Sequence, residues 1–246
     1  MEVHQHSHVN HSKKWKNYLY EFLMLFLAVS AGFFMENLRE HHVESDREEQ
    51  YMKSLLNDLK ADTTNITNII ERNMAWKHNA DSLFILMSLP DFSDKMVSIY
   101  FFSRKISLRE FFYMTDGTLN QLNNAGGLRL ISHYDIVDSI SSYKNVYDDL
   151  EIAQQLKELQ LIDYRNACCK VFDVRVYEKM VNGSLDILPP EGNPKLISQN
   201  PADINELLMR VHYIKRNNAG LLRLLEKLKS KAINLQAMIR TKYKLE

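Results

Sequence analysis

From Phe22 to Met35 the chain carries no charged residue, and no stretch of comparable apolarity follows it. A bilayer core is about 30 Å thick, so a helix rising about 1.5 Å per residue needs about 20 largely apolar residues to cross it. The uncharged run alone is short of that. Extended back to Trp15 it reaches spanning length, and takes in Lys16, Asn17 and Glu21. These three lie near one end, where a lysine snorkels and a carboxylate reaches the headgroups. Trp15, Tyr18 and Tyr20 supply the interfacial aromatic belt. A transmembrane helix is expected over 15–35, with Glu21 as its membrane-embedded ionisable group. Two other readings fit the same residues. One is a signal peptide, with basic Lys13-Lys14 and the small residues Ala28 to Ala31 as a cleavage region. The other is the buried core helix of a soluble protein.

The rest of the chain is water-soluble in character and reads as helix. Gly 7 and Pro 5 are low for 246 residues, and they cluster, which favours long uninterrupted helices. From Val43 to Leu89 neither occurs. Met52, Leu55, Leu56, Leu59, Ile66, Ile69, Ile70, Ala80, Leu83, Phe84 and Met87 recur at helical spacing, with Asp58 and Asp62 assigned to the solvated face. No breaker separates this helix, over 36–89, from the apolar one before it. A pair of shorter helices is expected within 92–131, one from Phe92 to Ile106 and one from Leu108 to Asn124, stopped at Gly126-Gly127. Ser132 and Asp135 resemble a capping box for a long helix over 132–181. Its stripe is read as Ile136, Ile140, Tyr143, Val146, Tyr147, Leu150, Ala153, Leu156, Leu159 and Ile162. The glycine- and proline-rich stretch 182–200 is the one true loop. Asn200-Pro201 then opens a last helix over 201–246. The expected fold is all-α: an N-terminal transmembrane helix continuing into an antiparallel bundle of long helices with coiled-coil-like spacing.

Little chemistry is legible. Residues 1–14 form a polar tail expected to be disordered, with His4, His6, His8 and His11 as weak metal ligands lacking a rigid frame. His41-His42 with Glu40 and Glu44 make an incomplete ligand set, because only one of the two histidines can share the glutamates' helix face. Adjacent Cys168 and Cys169 point about 100° apart on a helix and read as two small thiols. None of the common hydrolase, P-loop or di-iron patterns is present, so neither an enzyme nor a cofactor is expected. Lys plus Arg and Asp plus Glu are both 31, which leaves no global field to attract nucleic acid.

Lys13-Lys14-Trp15, then Tyr18, Glu21-Phe22, Met24 to Val29, Gly32-Phe33 and Glu36-Asn37 with Arg39-Glu40-His41, resemble the start of an uncharacterised family of single-pass membrane proteins from Bacteroidota. Arg47-Glu48, Tyr51, Leu55, Asp58-Leu59, Asp62 and Gly127 to Ile131 extend the likeness, which is good over 13–62 and thin after 132. The resemblance implies a membrane anchor, a helical domain and often a His-rich N-terminus; it brings no catalytic residue. Lys13, Lys14 and Lys16 before the span outnumber Arg39 and Arg47 after it, which puts the N-terminus in the cytoplasm and the bundle in the periplasm of a bacterial inner membrane.

The leading expectation is thus a membrane-anchored structural or interaction protein, whose partners are the lipid bilayer and a protein, or a second copy of itself. A ligand-sensing helical ectodomain is one alternative, and would show an apolar cavity lined by convergent polar groups. A metal-handling protein acting through the His-rich tail is the other.

Overall fold

The computed structural model describes residues 11–124, 126–184 and 186–245. Within them are six α-helices and no sheet: α1 (His11–Met87), α2 (Met96–Ile106), α3 (Gly117–Asn124), α4 (Tyr134–Val171), α5 (Val174–Lys179) and α6 (Pro201–Tyr243). Among the described residues the only β pairing is an isolated bridge between Val181 and Ile187. Chain contacts divide the molecule into two units, Met1–Tyr51 and Met52–Glu246.

The second unit is built on the later part of α1 with α4 and α6. Its buried residues step by three and four, with one step of seven on α1 between Ile66 and Asn73, where Ile69 and Ile70 are half-buried. On α6 they are Leu207, Val211, Ile214, Asn218, Leu221, Leu225, Leu228, Ala232, Leu235 and Ile239. On α1 the same rhythm runs from Met52 through Leu55, Leu59, Asp62, Ile66, Asn73, Trp76, Ala80 and Leu83 to Met87. Alternating steps of three and four keep one face of a helix turned inward for many turns, so three such faces close a continuous core.

On α4 the rhythm departs from the expected stripe. Ile136, Ile140, Tyr143, Val146 and Leu150 are buried as expected, but the buried series then continues through Gln154, Lys157, Leu161, Tyr164, Cys168 and Val171. Leu156, Leu159 and Ile162 face solvent. Repeated steps of three drift about 60° per step around a helix with 100° per residue. The apolar series from Leu150 to Ile162 therefore winds off the core. The face that stays inward carries an amide and an ammonium. Asp62 is likewise buried rather than solvated.

Three further boundaries differ from the sequence reading. The stretch 108–116 is not helical, and α3 starts only at Gly117. The reason is side-chain competition for its backbone. Gln154 accepts from Phe112 N at 2.7 Å and donates to Phe112 O at 3.0 Å, while Asp62 accepts from Thr115 N at 2.8 Å. These groups take the place of helical partners. Secondly, α4 stops at Val171. Phe172 is extended and buried, and Asp173 caps the short α5 by accepting from Arg175 N at 2.9 Å. Thirdly, the N-cap of α4 is His133, whose side chain makes no cap bond, rather than Ser132. The caps at Asn200 and Gly126 follow the sequence rules. Asn200 accepts from Ala202 N with Pro201 at the first turn, and Gly126 adopts φ 66°, a left-handed conformation that costs glycine little.

The connection 180–200 is strapped to the core. Met180, Ile187 and Leu196 are buried, Ile197 N donates to Val171 O at 2.9 Å, and Tyr100 Oη donates to Lys195 O at 2.9 Å. Together with α2, these residues seal the end of the bundle around Leu83, Ile99 and Val171.

Candidate functional site: an exposed apolar helix and a buried lysine

In the first unit, every residue from Trp15 to Met35 is solvent-exposed. The side chains left bare include Phe22, Leu25, Phe26, Leu27, Phe33 and Phe34. An 18-residue window within this helix has mean hydropathy 1.7, and none of it is buried. A core helix of a soluble protein would be covered by its neighbours; this one is not. Water is a poor solvent for such a surface. At about 25 cal/mol per Å² of apolar area, an uncovered run of large side chains is driven strongly towards lipid or another apolar surface. Trp15, Tyr18 and Tyr20 are exposed at its start, where interfacial aromatics are expected, and Glu21 is exposed on the same helix one residue on. Beyond Met35, Arg39 pairs with Glu36 one turn away, at the polar edge of the apolar run.

The second unit holds a different feature, one the sequence did not reveal. Lys157 is completely buried among the three long helices. Its Nζ donates to Asn73 Oδ1 and to Asn218 Oδ1, both at 2.7 Å, and lies 4.5 Å from the centre of the Trp76 ring. Asn73 Nδ2 in turn donates to Ile69 O and Glu110 O, and Asn218 Nδ2 to Asn73 O. Every amide group of the layer is thereby used. None of the direct partners is a carboxylate. Burial pushes the ammonium down to about 7, against the opposing pull of Glu110. A second polar contact lies further along the bundle, where Tyr143 Oη donates to buried Asp62 at 2.6 Å. Burial raises the Asp62 carboxyl above its ordinary value, against the hydrogen bonds from Tyr143 and Thr115.

Both layers occupy positions in the three-four series that apolar residues fill elsewhere. A polar group at one such position fixes register and partner choice at some cost in stability. The only sequence signal would have been the exact continuation of the series through Gln154 and Lys157.

The remaining predicted residues are dispersed. His4, His6 and His8 lie outside the described residues, and His11 is described only as the first residue of α1. Among the described residues no group of three or more His, Cys, Asp or Glu side chains converges, so Glu40, His41, His42 and Glu44 form no ligand cluster. Cys168 is buried and Cys169 exposed, both as free thiols.

No protein-family model matches the chain, and no curated protein or solved structure matches it either. The functional reading therefore rests on these residues alone.

Proposed function

We propose that this chain is a membrane-anchored helical interaction protein. A single span over about 15–35 holds it in a bacterial inner membrane, with the N-terminus in the cytoplasm and the bundle in the periplasm. The observation that carries the reading is the uncovered apolar surface of the helix from Trp15 to Met35. The excess of lysine before the span supports the orientation. In this reading Trp15, Tyr18 and Tyr20 sit at the headgroups and Glu21 anchors at the interface. The bundle supplies long, rigid, charged faces suited to docking a protein partner, and the reading assigns it no catalytic residue.

Separation of native membranes tests the anchor. The full-length chain is expected in the high-speed pellet, resistant to alkaline carbonate and with its N-terminal residues intact by mass. A chain that begins after Ala31 would instead mark the apolar run as a cleaved leader, and an intact chain in the supernatant would remove the anchor altogether. Affinity capture from detergent-solubilised membranes tests the interaction role. One stoichiometric partner, or a second copy, is expected; a monodisperse monomer that captures nothing would count against it.

A further inference from the structure

A cavity of about 210 Å³ opens between the C-terminal part of α4, the end of α2 and α5. Its walls are mostly apolar, formed by Phe172, Val174 and the ring of Tyr177, with Cys168 and Cys169 on the α4 side. Two guanidinium groups, Arg104 and Arg165, line it, and no carboxylate does.

Both cations are held by one residue. Arg104 Nη1 donates to Ser107 Oγ at 2.9 Å, and Arg165 Nη2 donates to Ser107 O at 2.7 Å. Ser107 Oγ in turn donates to Arg104 O at 2.7 Å, which fixes the hydroxyl. Arg165 shares Glu158 with Arg109, at 3.4 Å against 2.7 Å for the latter. Arg104 stacks over Tyr177 at 5.8 Å and has no acidic partner among the described residues. A guanidinium carries five N–H donors in a planar fork that matches a carboxylate. Both arginines line a space whose remaining walls are mostly apolar, and Arg104 spends one of its donors on Ser107.

We propose that this cavity binds a small carboxylate with an apolar body, its head on Arg104 and Arg165 and its body against Phe172 and Val174. The volume sets the size. Drug-sized sites are roughly 300–1,000 Å³, so this one takes a short- or medium-chain acid rather than a diacyl lipid. The inference does not depend on the membrane anchor.

Cys169 reports on occupancy because it is an exposed thiol lining the cavity, whereas Cys168 is buried and burial pushes its thiol up to about 12. The test is the rate of Cys169 alkylation in the full-length protein held in lipid nanodiscs, read by peptide mass, with octanoate, octan-1-ol or inorganic phosphate added. Octanoate is expected to slow alkylation in a saturable way, octan-1-ol and phosphate much less. Arg104→Gln should weaken the octanoate effect roughly tenfold, because a charge-assisted hydrogen bond is lost, while Arg104→Lys keeps part of it. Val174→Trp, at an exposed position on the cavity wall, should abolish the effect by filling the space, each variant being compared with its own octanoate-free rate. Equal protection by octan-1-ol, or full octanoate protection in folded Arg104→Gln, would overturn the assignment of the head group. Absence of protection by octanoate in the wild-type chain, or full protection in Val174→Trp, would overturn the site.

Discussion

The ammonium of Lys157 donates to the Asn73 side-chain oxygen at 2.7 Å, in a layer where both residues are wholly shielded from solvent. It joins α4 to α1, and the matching bond to Asn218 joins α4 to α6. One side chain thus ties together the three long helices. An unfolded lysine keeps its proton to about 10.4, whereas this one is held down to about 7. Between those values the unfolded chain binds one more proton than the native state, so stability rises with pH across the window. Over the whole window the gain is at most about 4–5 kcal/mol, and below pH 7 the contribution is flat and at its minimum. Urea titrations at pH 6, 7.5 and 9 are expected to show midpoints that climb with pH, and Lys157→Met should remove the climb. A wild-type midpoint no more pH-sensitive than that of Lys157→Met would contradict the burial of this ammonium.

Lys157→Met alone should destabilise at pH 7, because it leaves the Asn73 and Asn218 oxygens buried without a donor, at about 1–3 kcal/mol for each orphaned group. Adding Asn218→Leu removes one of the two orphans and should recover part of the loss. Recovery is the informative measurement: a double variant less stable than the single one by the full Asn218→Leu effect would mean that the pair is not coupled.

Leu159 and Leu161 lie two residues apart on α4 and should respond in opposite ways. Leu161 is 0% exposed and Leu159 63% exposed. Leu161→Ala is expected to cost about 2–5 kcal/mol, by lost transfer energy and the cavity left behind. Leu159→Ala should stay within about 0.5 kcal/mol of wild type. Denaturation midpoints of the two variants measure this directly, and a reversed order would place the core face of α4 on the wrong side.

A charge in the middle of the apolar run should compromise the proposed anchor. Leu25 is near the centre of 15–35, where arginine costs about 2.5–3.5 kcal/mol on insertion. Leu25→Arg combined with Phe26→Arg should shift the protein from the membrane pellet towards the soluble fraction, while the helical signal of the bundle persists. The same pair at Glu36 and Asn37, beyond the apolar run, should leave fractionation unchanged.

Helix content and the apolar span were readable from residue order because both are local. Gly and Pro are scarce, the stripes of α1 and α6 recur at three and four, and the caps at Asn200 and Gly126 use side-chain and backbone chemistry that needs no distant partner. The segment 108–116 was not readable. Its backbone partners are Gln154 and Asp62, more than 40 residues away for one and more than 50 for the other. The carboxylate of Asp62 looked solvated, and Lys157 stood out in no way, for the same reason, since nothing adjacent in sequence announces the groups that satisfy them.

What the chain alone determined was where the long apolar surface lies and which stretches coil into helix, since apolar content and spacing act within a few turns. Which face of α4 turns inward, and the bringing together of Arg104 with Arg165 and of Lys157 with Asn73 and Asn218, were decided only by packing. A polar side chain is acceptable in a core when its hydrogen bonds are met, and those partners come from helices far apart in sequence.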